Sequence, residues 1–274
     1  MKKKIFAFIT AAVLGTQLLT GCGSSGKNKD DDKVITLSVC NIKAYEDTTK
    51  VWADEVAKLG YTLDYQIVSS GPQLNQAVED GDCFATYHQH TPAMDDWNER
   101  NKGHLAVAFK VFTDRAGIFS TKYKSLDELP DGAKIVISND AGNSFRGLVM
   151  LADAGLIKIR DDIDPVKVTQ KDIIENPRNF EFIEVDYAML SKTIEDADAG
   201  FLYATIATEL GLFFEKDALI GEREELQEAD IIAVREEDVG SEKAKVLEKA
   251  YKTDAMKQAL KDTFGGENVL EPAW

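Results

Sequence analysis

Metal and thiol chemistry have little to work with in this chain. It holds three histidines and three cysteines among 274 residues, and no two cysteines form a C-x-x-C pair. Neither H-E-x-x-H nor G-x-S-x-G occurs, so the familiar local signatures of zinc and serine hydrolases are missing. Positive charge is scarce too: 32 Lys and Arg face 48 Asp and Glu, a formal net charge of −16. So acidic a body is repelled by nucleic acid and by anionic lipid, which excludes nucleic-acid binding. There is no internal repeat at a fixed period. The longest apolar run, Ile5 to Leu19, is shorter than the ~20 residues a membrane-spanning helix needs.

What is present begins with compartment. Lys2, Lys3 and Lys4 precede the apolar run, and Leu19-Thr20-Gly21-Cys22 follows it, a pattern that resembles a bacterial lipobox. Residues 1–22 therefore read as a lipoprotein signal peptide. Cys22 is the expected site of lipidation, a palmitate-type anchor holding the chain to the cell membrane on its extracytoplasmic side. Loss of the three signal lysines makes the mature body more acidic still. Residues 23–33 are a flexible Gly/Ser/Lys/Asp tether, too polar to bury anything.

From Val34 on, the chain is long enough for two α/β lobes with sizeable cores. Val34 to Cys40 and Thr62 to Val68 read as strands, and Cys83 to Tyr87 as a third. Between the first two, Asp47 is the expected cap of a helix presenting Trp52, Val56 and Leu59 on one face. This β-α-β-α-β rhythm predicts a parallel, doubly wound sheet. In that arrangement Cys40 ends its strand and Cys83 begins another, at opposite edges, so both are expected as free thiols. Leu105 to Phe109, Gly117 to Ser120, Lys134 to Ser138, Phe180 to Val185, Gly200 to Tyr203 and Asp230 to Val234 complete the predicted strands. Ser125 and Glu128 form an expected capping box. Two amphipathic helices, Ser241 to Tyr251 and Asp254 to Phe264, close the chain. The expected organisation is lobe 1 over 34–114 plus 233–274 and lobe 2 over 115–232.

Ligands of open α/β sheets bind outside the carboxyl ends of strands. Three such ends are polar or aromatic here: Tyr87-His88-Gln89-His90, Asn139 to Arg146, and Tyr203-Ala204-Thr205. The second leads into a helix opening near Asn143 and stopping at Gly155. Arg146 then lies in the first turn, where unpartnered N–H groups, the helix dipole and a forked guanidinium suit a carboxylate or phosphate. A solvated ion pair with an acidic neighbour is the competing reading for Arg146.

Several stretches together resemble the MetQ/NlpA family of substrate-binding lipoproteins, receptors of methionine-type ABC importers. They are Lys122 to Ala133, Asn139-Asp140 with Asn143 and Arg146, Ala154-Gly155-Leu156-Ile157-Lys158, Asp172 to Pro177, Gln89-His90-Thr91-Pro92, and the lipobox. The resemblance implies an α/β, type II-like periplasmic-binding-protein fold: two doubly wound α/β lobes with a ligand cleft between them. It implies that Arg146 grips an amino-acid carboxylate, with Asn143 beside it. It places Tyr87 and His88 against the ligand side chain, His90 next to them, and Gln73 and Asn75 at polar positions before the second helix. Tyr203 and Thr205 fall where the family has asparagines around the amino and carboxylate groups. Two further departures are Asn41-Ile42-Lys43-Ala44 in place of Pro-Gly-Pro-His, and Ala93 in place of Tyr.

The expected function is delivery of an amino acid, methionine or a related carboxylate-bearing ligand or small peptide, to an ABC permease and its ATPase. A monomer is expected, with no cofactor and no catalysis. A metal-binding receptor is the second reading, since His88 and His90 share a face if their strand continues. An extracellular enzyme is the third. Trp52, Trp97 and Trp274 read as packing residues. On this reading Arg146→Ala abolishes binding and leaves the melting temperature of the ligand-free protein nearly unchanged.

Overall fold

The computed structural model describes residues 31–69, 71–139, 143–263 and 273–274. The signal peptide, Cys22, most of the tether and the Phe264 end of the last helix lie outside them. The first half runs β1 (Val34–Cys40), α1 (Lys43–Lys58), β2 (Thr62–Val68), α2 (Gly71–Glu79), β3 (Ala85–His90), α3 (Thr91–Asn101) and β4 (Leu105–Thr113). The chain then passes to β5 (Ala116–Phe119), β6 (Lys134–Ser138), α4 (Ser144–Asp153), β7 (Lys158–Ile159), β8 (Ile173–Glu175) and β9 (Glu181–Val185). It continues through α5 (Leu190–Ile194), β10 (Ala199–Tyr203), α6 (Ala204–Glu209), α7 (Phe214–Asp217) and β11 (Ile220–Gly221). β12 (Ala229–Arg235), α8 (Glu242–Tyr251) and α9 (Asp254–Thr263) complete it.

These elements make two mixed sheets of five strands, ordered β2-β1-β3-β12-β4 and β11-β5-β10-β6-β9. In the first, β1 pairs parallel with β2 and β3, as the alternating rhythm requires, and β12 is inserted antiparallel between β3 and β4. In the second, β6 pairs parallel with β9 and β10, and β5 runs antiparallel to β10 and β11. The expected fold class stands. The return to the first sheet comes earlier than expected, however: β12 starts at Ala229, so a boundary between 232 and 233 would cut a strand in two.

Each sheet is covered on both faces. Tyr45, Thr48, Thr49, Trp52 and Val56 form the buried stripe of α1, and the Trp52 indole donates to the Leu247 carbonyl at 3.1 Å. In the second sheet Gly147 lets α4 press close, since a Cβ there would lie 3.1 Å from Ile137 Cγ2 and 3.3 Å from Phe201 Cβ. Gly200, on the alternate face, faces Ile194 of α5 in the same way. Both thiols are free, with Cys40 closing β1 and Cys83 just before β3, as expected.

Local expectations fail at two helix starts. Helix α1 begins at Lys43, not at Asp47, with Ile42 as an uncapped extended N-cap; Asp47 is interior and pairs with Lys43 and Lys50. Ser125 makes no capping bond, and Leu126–Glu128 is one 3-10 turn whose Glu128 reaches back to the Lys124 N–H at 2.7 Å. Asp186 accepts the Ala188 N–H and caps a 3-10 turn at Tyr187–Met189 that leads into α5. Side-chain ion pairs at i±3 and i±4 and long-range packing override the local cap signals here.

Candidate ligand-binding site

A cavity of about 510 Å³ opens where the two sheets face each other. From the first lobe it is lined by Cys40, Tyr45, Asn75, His88, Gln89, His90 and Trp97, and from the second by Asn139, Asn143, Tyr187 and Tyr203. Asp114 and Asp230 join them from near the chain crossings.

The strand carrying the histidines runs to His90, three residues past its expected end. Across it, Ile231 lies opposite Gln89 and Ile232 opposite Tyr87, so His88 is the extra residue of a β-bulge. Bulges bend a strand and re-aim a side chain. His88 consequently faces the cavity, held by Thr86 Oγ1 against its Nδ1 at 2.8 Å. Burial drives its pKa down to about 3, with His90 adding to the effect.

His90 does two jobs. Its Nδ1 accepts the Ala93 N–H at 3.3 Å and so caps α3. The proton therefore resides on Nε2, which donates to Asn143 Oδ1 at 2.7 Å, a bond that spans the cavity from one lobe to the other. Burial and the nearby Arg146 charge lower the His90 pKa to about 4, so the ring is neutral. Asn143 is the N-cap residue of α4, and its Oδ1 also accepts from Tyr203 Oη. Tyr203 Oη lies 3.2 Å from His90 Nε2 as well. His90, Asn143 and Tyr203 thus form one buried polar junction.

Three predicted site residues stand behind this wall. Tyr87 is fully buried, stacked edge-on against Tyr45 at 4.8 Å, with its hydroxyl 2.7 Å from that of Tyr251. It does not line the cavity, because strand alternation and the bulge send Tyr87 and His88 to different sides. Thr205 is also buried, and both its hydroxyl and its N–H donate to Asp114. The largest correction concerns Arg146. It does lie in the first turn of α4, but it is 1% exposed and its fork is already filled. Nε donates to Glu222 Oε1 at 2.5 Å, Nη2 donates to Glu222 Oε2, and Nη1 donates to the Tyr203 oxygen at 2.5 Å. The anion-binding geometry read from the sequence is real, and a carboxylate of the protein itself occupies it. Burial opposes the Arg146 charge, but Tyr203, Glu222 and Asp114 hold its pKa above the ordinary value. The Glu222 carboxyl sits above its usual range because burial outweighs the pull of Arg146.

Sequence reading missed Glu222, Asp114, Asp230, Tyr45 and Tyr187. Asp230 stands inside a strand otherwise reading Ala-Ile-Ile-Ala-Val, where Asp is disfavoured; that was the available signal. Trp97, read as packing alone, also lines the cavity. Asn75, expected before the second helix, lies inside α2, lines the cavity and exchanges two amide hydrogen bonds with Gln89, at 3.0 and 2.7 Å. Among the described residues no group of three or more His, Cys, Asp or Glu is placed to hold a metal ion.

The model of a known family, the NlpA lipoproteins, matches residues 35–274. The chain belongs to the NlpA lipoprotein family. This family member is similar to the D-methionine-binding lipoprotein MetQ of Escherichia coli, 32% identical over 273 residues and 98% of each chain. It is 30% identical to the methionine-binding lipoprotein MetQ of Bacillus subtilis, over 97% of each. Among solved structures it resembles a nutrient binding protein from Burkholderia cenocepacia bound to methionine. That match has a TM-score of 0.81 and 29% identity, and covers 88% of this chain and all of that one. No helix among the described residues is long and apolar enough to cross a membrane.

Proposed function

We propose that this family member is the receptor of an ABC importer for a methionine-like amino acid or a related small peptide. It is held to the extracytoplasmic face of the cell membrane by lipid on Cys22 and works as a monomer with a permease and its ATPase. The observation that carries this reading is the 510 Å³ cavity, which is bridged by His90 and Asn143 from opposite lobes. Its size suits one small ligand, and closure of lobes over such a site makes affinity depend on the open–closed equilibrium as well as on contacts. The relatives named for methionine supply the ligand class.

In this reading His88, His90, Asn143 and Tyr203 touch the ligand. Tyr87, Thr205 and Arg146 position them: Tyr87 from the aromatic core, Thr205 through Asp114, and Arg146 through Tyr203. An acid group reaches Arg146 only by displacing Glu222. Isothermal titration of the full chain in detergent against the twenty amino acids in both hands, and against methionine-containing dipeptides, tests the proposal. Saturable heat from one or a few is expected. Silence from all of them sinks it.

A further inference from the structure

The charges around the cavity do not balance. Asp114 comes from the two-residue crossing between β4 and β5, and Asp230 from β12, in register with His90 on β3. Both line the cavity, and each is only 4% exposed. Neither forms an ion pair with any described residue. Every hydrogen bond they receive from described residues comes from a neutral group: the Thr205 hydroxyl and N–H to Asp114, and the Tyr45 hydroxyl to Asp230.

The nearby cations are spent elsewhere. Arg146 is committed to Glu222, and Arg100 at the cavity mouth pairs with Asp96 at 2.9 Å. His88 and His90 are neutral. A buried carboxylate without a cation is costly, and the charge left on such a pair repels a ligand carboxylate.

We propose that the ligand is read through a protonated amine seated between Asp114 and Asp230, and that a free carboxylate on the ligand is dispensable. This deepens the receptor reading and rests on it. An ammonium at this place supplies the cation that both carboxylates lack. Tyr45, Tyr187 and Trp97 supply aromatic walls of the kind that attract a desolvated cation. A ligand carboxylate placed there meets the charge shared by Asp114 and Asp230, with Arg146, already paired to Glu222, as the cation left to offset it. A bare metal ion fits poorly, because the cavity is too large and holds too few clustered oxygens.

Proton linkage gives the proposal a second readout. The ionisable groups around the two carboxylates are Tyr45 on α1, Cys40 on β1, Tyr87 on β3, Tyr187 before α5, Arg146 on α4, Tyr251 on α8 and each carboxylate on the other. With no ligand, burial and Asp230 push Asp114 up to about 8, and burial pushes Asp230 up to about 6. A cation between them lowers both, so amine uptake at pH 7 expels a proton to buffer.

The test is calorimetric titration of the full chain in detergent at pH 7, run in both Tris and phosphate. The probes are the twenty amino acids in both hands, the amino alcohols in which CH2OH replaces their carboxylate, and their N-acetyl derivatives. For whichever amino acid binds, the amino alcohol should keep affinity within about tenfold, a difference of about 1.4 kcal/mol. The N-acetyl derivative should lose more than that. Heats in the two buffers should differ by close to one released proton, a difference that Asp114→Asn removes. Retention of the N-acetyl compound with loss of the amino alcohol overturns the inference and leaves the receptor reading intact. Equal affinity for both, or no proton release, also overturns it. If neither these probes nor the methionine-containing dipeptides bind, both readings fall. The wild-type comparison stands even if Asp114→Asn does not fold.

Discussion

Replacing Arg146 by alanine should unfold the protein more readily, whether or not ligand is present. The sequence alone suggests the opposite, a surface clamp whose loss is silent until ligand arrives. In the structure both side chains of the Arg146–Glu222 pair are 1% exposed. Removing the guanidinium leaves a buried carboxylate without its ion-pair partner, and breaking a buried pair from one side costs about 3–5 kcal/mol. For a body of this size each 1 kcal/mol shifts the melting temperature by about 2–4 °C, so a fall of about 6–20 °C is expected. Arg146→Met with Glu222→Leu removes both charges together and should recover most of that loss, because a hydrophobic pair of similar volume is often neutral or stabilising. The assay is calorimetric melting of ligand-free protein at pH 7, with urea titration to separate the two lobes if they unfold apart. Melting of Arg146→Ala within about 2 °C of wild type would refute the reasoning, because Glu222 would then have water or another partner within reach.

Tyr203→Phe removes the oxygen that accepts from Arg146 and the hydroxyl that donates to Asn143, so a loss of about 1.5–3 kcal/mol is expected by urea titration. The ligand-free protein should also show opposed pH effects. Asp114 and Asp230 have folded pKa values raised to about 8 and about 6, so their stabilising contribution is present below the ordinary carboxylate range and is lost as pH rises toward 8. His88 and His90 are lowered to about 3 and about 4, so their contribution is present above the ordinary histidine value and is lost as pH falls toward 4. Melting across pH 4–9 should therefore peak in between, and Asp114→Asn should flatten the alkaline limb; an unchanged limb contradicts the assignment. Burial raises the Cys40 thiol to about 12 and also raises Cys83, so neither should react quickly with a disulfide reagent at pH 8 until the protein is denatured.

Much of this architecture was legible from the chain. β1 and β2 fall on the expected residues because β-branched runs bounded by turn formers have little choice of structure. The glycine ending α4 sits at φ +72°, as its stop signal required. What escaped was long-range. That Glu222 fills the fork of Arg146 depends on residues 76 apart meeting at the cavity wall, which no local periodicity encodes. The bulge at His88 depends on an antiparallel partner that arrives more than a hundred residues later. That Asn143, His88 and His90 reach the cavity was legible because strand and helix ends announce themselves. Asp114 was missed because it lies between two strands and belongs to neither.

That last position has a mechanical consequence. A rigid body turning about a line moves each point in proportion to its distance from that line, and the points on the line stay put. Asp114 lies on one of the two segments that pass between the sheets, and Asp230 is the second residue of the strand that the other leads into. If the lobes turn about those segments, both carboxylates keep their places while His88, Asn143 and Tyr187 travel. The recognising contact is then made before the jaws move, and the moving groups only retain what has been recognised. Variants of the distant rim should change how long a ligand stays, whereas variants at the pivot should change which ligand is admitted.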